Sequence, residues 1–115
     1  MSSSRPKRAA HQDWSSISYT GPFKLGEIVH VWAVGLGAVT PEVLPGTVAP
    51  STEPLARLRS PLICQNADVL YAGLAPGYLE RVYQVDLRLN ATGYHRFDCS
   101  ENGKPVLALT FDVVP

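Results

Sequence analysis

Any chemistry in this sequence would have to come from its histidines, serines, acids or cysteines. His30 stands between Val29 and Val31 in a β-branched run, a setting that favours a half-buried structural histidine over a general base. His95 is flanked by Tyr94 and Arg96, and His11 lies near the amino terminus. No histidine falls into H-x-H or H-E-x-x-H spacing, and Ser15, Ser16 and Ser18 form no G-x-S-x-G elbow. Neither zinc nor a hydrolase triad is expected.

Asp86, Asp98, Glu101 and Asp112 are expected on or near neighbouring strands. Oxygen ligands gathered from loops suit calcium, but solvated strand faces are the plainer account. Cys64 and Cys99 are too far apart for a paired C-x-x-C zinc site. One disulfide and two buried thiols both remain open, export favouring the first and a reducing compartment the second. Trp32, Tyr71, Tyr78, Tyr83 and Tyr94 can line a sugar platform, although rings in alternating strands more often fill a core. Tyr78 and Tyr94 are the rings expected at the surface. Arg5, Lys7 and Arg8 carry charge without interleaved aromatics, which reads as a solubilising tail and not as a nucleic-acid contact.

The elements that must position these residues are strands. The stretch 69–89 runs from an apolar segment through the Gly73-Leu74-Ala75-Pro76-Gly77 corner into strict alternation from Val82, so it predicts strand, ordered corner, strand. Tyr83, Val85, Leu87 and Leu89 fall on one face, and Val82, Gln84, Asp86 and Arg88 on the other. Glu27 to Val34 is rich in Val, Ile and Trp and apolar on both faces, as a central strand is. Five prolines from Pro41 to Pro61 predict an ordered connection or edge segment, tacked to the core by Leu44, Val48, Leu55 and Leu58. A short strand over 62–65 leads to a hairpin turn at Asn66-Ala67-Asp68. Further strands are expected over 94–99 and 106–114, the last burying Leu107, Leu109, Phe111 and Val113. Asn102-Gly103 between them suits a type I′ turn. Residues 1–12 are expected as a disordered basic tail, with an edge strand at 14–19 opening a domain over 13–115.

At 115 residues with 45% apolar content, the chain makes one domain with a core of its own. Ten basic residues balance ten acidic ones, so no net field draws in nucleic acid or acidic lipid. No apolar run is long enough to span a membrane, and the basic start is not followed by the apolar region of a signal peptide. The expected fold is all-β, a single antiparallel immunoglobulin-like sandwich of about seven strands, with a small barrel as the competitor.

Four phrases in order carry a family resemblance. Val31-Trp32-Ala33-Val34-Gly35-Leu36-Gly37-Ala38-Val39-Thr40-Pro41 comes first, then Gly46-Thr47-Val48-Ala49-Pro50 and Pro54-Leu55-Ala56-Arg57. The last joins Ala72-Gly73-Leu74-Ala75-Pro76-Gly77-Tyr78 to Val82-Tyr83-Gln84-Val85-Asp86. Over residues 24–89 the chain resembles the Solibacter-type uncharacterised C-terminal domain, found at the ends of large bacterial proteins. The resemblance implies an immunoglobulin-like, extracellular or cell-surface accessory module with no established catalytic activity and no assigned ligand. Leu79-Glu80-Arg81 stands where that family carries a small glycine-containing step.

The functional expectation is therefore a non-catalytic interaction or spacer module, with a carbohydrate- or small-ligand-binding module as the alternative. No catalytic, metal or cofactor residues are assigned. The candidate partner surface is Tyr78, Leu79, Glu80, Arg81 and Tyr94, serving a protein or glycan. An exposed sheet edge also offers a route to a homodimer.

Overall fold

A computed structural model describes residues 6–10, 22–108 and 110–115. Its twelve strands are β1 (Pro6–Ala10), β2 (Phe23–Lys24), β3 (Ile28–Ala33), β4 (Val39–Thr40), β5 (Arg57–Leu58), β6 (Leu62–Cys64), β7 (Ala67–Leu74), β8 (Tyr83–Leu89), β9 (Gly93–Arg96), β10 (Cys99–Glu101), β11 (Lys104–Leu107) and β12 (Thr110–Val114). There is no helix among the described residues. None is therefore long and apolar enough to cross a membrane.

The first layer runs in the order β1-β3-β8-β7-β5-β4. The second is interrupted: β11-β10-β6 at one end and β2-β12-β9 at the other. Because β9 leads into β10 and β11 into β12, each pair reads as one broken strand. With the pairs counted so, the orders β1-β3-β8-β7 and β6-β10-β11 are compatible with the expected immunoglobulin-like sandwich. Strands β4 and β5 extend its first layer. All pairings are antiparallel except β2 on β12, which is parallel.

The inner faces share one core: Val29, Val31 and Ala33 from β3, Val85, Leu87 and Leu89 from β8, and Leu62, Phe97, Cys99, Leu107 and Val113 from the second layer. Alternation places Val85, Leu87 and Leu89 inward, as strand periodicity requires. On β7 the alternation is broken once. The register shifts between Val69 and Tyr71, so Leu70 is an extra, bulged residue. The bulge lets Ala67 and Val69 before it and Ala72 after it all pack inward.

Several expectations are corrected. Residues 6–10, assigned to a disordered tail, form β1 on the edge of β3, with Ala10 opposite His30. The gain is tertiary, because β3 would otherwise present unpaired backbone groups. The proposed edge strand at 14–19 lies outside the described residues, as does Leu109. The turn after β6 falls at Gln65-Asn66, with Asn66 at φ 61°. It is no hairpin, since β6 and β7 belong to different layers. Ala67 and Asp68 already belong to β7. The strands expected over 94–99 and 106–114 are each broken in two. Leu58 packs against the core as expected, but Leu44 and Val48 do not tack the proline-rich connection down; Ala49 and Ala56 do, buried with Leu74. Asn102 and Gly103 both have positive φ, 56° and 77°, as the predicted type I′ turn demands.

Candidate functional site

Two places gather the residues singled out by the sequence. The first is the outer face of β3, β8 and β7. Register sets His30 opposite Asp86 and Trp32 opposite Gln84, and Tyr71 opposite Asp86 from the other side. The His30 ring N–H donates from Nδ1 to Asp86 Oδ1 at 2.8 Å, and Gln84 Nε2 donates to the same oxygen at 3.0 Å. His30 and Gln84 are both buried. A buried polar group must be hydrogen-bonded, and one carboxylate oxygen serves two donors here. His30, expected half-buried, is buried and held by Asp86.

Further along that layer, Gly73 pairs with Arg57 of β5. A Cβ there would sit 2.3 Å from the Ala56 carbonyl oxygen and 2.7 Å from Arg57 Cα, so only glycine admits the crossing strand. Leu74 N–H donates to the Ala56 carbonyl at 2.8 Å, and the Tyr71 hydroxyl donates to the Leu74 carbonyl at 2.7 Å. The Arg57 guanidinium lies 5.4 Å from the Tyr71 ring centre and forks onto Glu53 with two 2.8 Å bonds. That fork, with the Leu55 N–H, holds the Glu53 carboxyl down at about 2. Burial pushes the Tyr71 hydroxyl up, and nearby Asp86 adds to this.

The second place is the pair of loops 44–49 and 77–82. Val48 and Leu79 form an antiparallel bridge. Around it Ala49 N–H donates to the Tyr78 carbonyl (2.7 Å), Gly77 N–H to the Ala49 carbonyl (3.0 Å) and Glu80 N–H to the Thr47 carbonyl (3.0 Å). The loops are thus zipped into one rigid unit on the Ala49-Ala56-Leu74 cluster. Their outward side chains are apolar: Leu44 is 66% exposed, Val48 and Leu79 are 58%, and Tyr78 is 46%. Arg81 projects into solvent beside them, with the Glu80 carboxylate 3.7 Å from its Nε.

Of the residues singled out there, Tyr78, Leu79 and Arg81 are exposed and Glu80 is half-buried. The Tyr94 side chain, like those of His95 and Phe111, lies outside the described part. Leu44 and Val48 were missed as surface residues. Their position between prolines 41, 45 and 50 was the available signal, since proline keeps that segment out of the sheets. The four acids do not converge: Asp86 is in the first layer, Asp98, Glu101 and Asp112 belong to the second, and Glu101 accepts the Gly37 N–H at 3.2 Å. Among the described residues no group of three His, Cys, Asp or Glu could hold a metal ion.

Cys64 and Cys99 are bonded as a disulfide. They are direct register partners on β6 and β10, so the bridge lies within one layer and does not join the two. By restricting the unfolded chain it contributes about 4 kcal/mol.

No family model, curated protein or solved structure matches this chain.

Proposed function

We propose that this chain is a non-catalytic, immunoglobulin-like interaction module of a bacterial secreted or surface protein. The observation that carries the reading is the zipped loop pair presenting Leu44, Val48, Tyr78 and Leu79 to solvent. Several large apolar side chains held outward on rigid loops beside charged residues are a usual mark of a protein contact surface. Three of its four side chains are aliphatic, which suits apolar side chains of a protein better than the flat face of a sugar. The disulfide fits an oxidising compartment outside the cytosol, and the resemblance to the Solibacter-type domain points the same way.

The patch can be tested with a photoreactive amino acid at position 79 in producing cells. Discrete protein adducts that disappear in Val48→Asp are expected. Failure to form adducts, with NMR shifts of residues 77–81 on titration with soluble oligosaccharides, would replace the protein partner with a glycan.

A further inference from the structure

The exposed edges of the second layer are not equivalent, and the Asn102-Gly103 turn sets their difference. In a two-residue hairpin the flanking residues exchange both backbone bonds, so Glu101 and Lys104 point theirs at each other. Ser100, one residue back, then points its N–H and C=O at Ile63 of β6. Gln65 keeps the same phase, its N–H donating to the Asp98 carbonyl at 3.0 Å. Leu62 and Cys64 therefore turn their backbone groups away from β10. No strand among the described residues lies on that side.

The opposite edge is closed. Pro105 pairs with Ser100 on β11, at a position whose N–H would face outward, and proline has none. On β6 nothing comparable protects the edge. Residues 60–65, Ser-Pro-Leu-Ile-Cys-Gln, carry no charge, and Ile63, 68% exposed, is the most exposed large apolar residue among those described. The disulfide fixes the strand to β10.

We infer that two copies of this chain pair through β6, antiparallel about a two-fold axis at Ile63. The hydrogen-bonding phase is self-complementary in that register. Leu62 of one copy faces Cys64 of the other, each pair exchanging both backbone bonds, and Ile63 faces Ile63 in the close, non-hydrogen-bonded position. Pro61 then faces Gln65, where neither copy's backbone is required to donate across the axis. The two exposed isoleucines cover each other, and the half-layers join into one sheet, β11-β10-β6 continued by its copy. A contact this small is weak and concentration-dependent. It is separate from the loop patch, so it stands or falls independently of that surface.

Sedimentation equilibrium on the intact chain, with amide hydrogen exchange followed by NMR, tests this. A monomer–dimer equilibrium is expected. In the dimer the Leu62 and Cys64 amides become protected, while the Ile63 amide is protected at every concentration by β10. Ile63→Lys and Ile63→Glu each replace an exposed side chain and should weaken association at least about tenfold, as like charges directly opposed do. An equimolar mixture of the two variants should associate again, because position 63 meets itself. A chain that stays monomeric at its highest attainable concentration overturns the inference. So does a dimer indifferent to both variants, or a mixture that fails to associate.

Discussion

The two faces of β3 and β8 are made from the same two strands and solve burial differently. On the inner face Val29, Val31, Val85 and Leu87 are sealed from solvent and need only shape. On the outer face His30 and Gln84 are buried and Asp86 is half-buried, and each must find a hydrogen-bond partner. The dry face depends on volume. The polar face depends on register, since a slip of one residue would part His30 from Asp86 while sending every valine outward.

The largest loss is expected on the dry side. Leu87→Ala empties a fully buried site and should cost about 2–5 kcal/mol in chemical denaturation. On the polar side, Asp86→Ala removes the acceptor shared by His30 and Gln84 and should cost about 1–3 kcal/mol. Asp86→Asn retains an acceptor and should lose less; equal losses would show that packing, not hydrogen bonding, holds this face. Gly73→Ala, opposite Gln84 on the same layer, drives a methyl into the β5 backbone. It should cost about 1–3 kcal/mol, with β5 amides exchanging faster.

The smallest effect belongs to the exposed Glu53–Arg57 fork. Its folded carboxyl sits at about 2 against an ordinary 4.5. The fork's stabilising contribution is therefore complete above the ordinary value and is lost as pH falls through about 2. In an NMR titration the Glu53 midpoint should return towards 4.5 in Arg57→Ala. Added salt should blunt the difference, because both groups are solvent-exposed.

By itself the sequence determined the all-β class, the inward set Val85, Leu87 and Leu89, the Asn102-Gly103 turn and the exposure of Tyr78 and Leu79. These follow from period-two alternation and local backbone preference, which act between near neighbours. Only the tertiary structure decided that residues 6–10 become a strand, because the unpaired edge of β3, not their own composition, recruits them. It also decided that Cys64 meets Cys99 and His30 meets Asp86, pairings that need the order and register of strands distant in sequence. The bulge at Leu70 belongs with these, since it answers to the facing residues of β8. Local pattern says which side of a strand is apolar; what lies opposite that side is fixed only when the layers close.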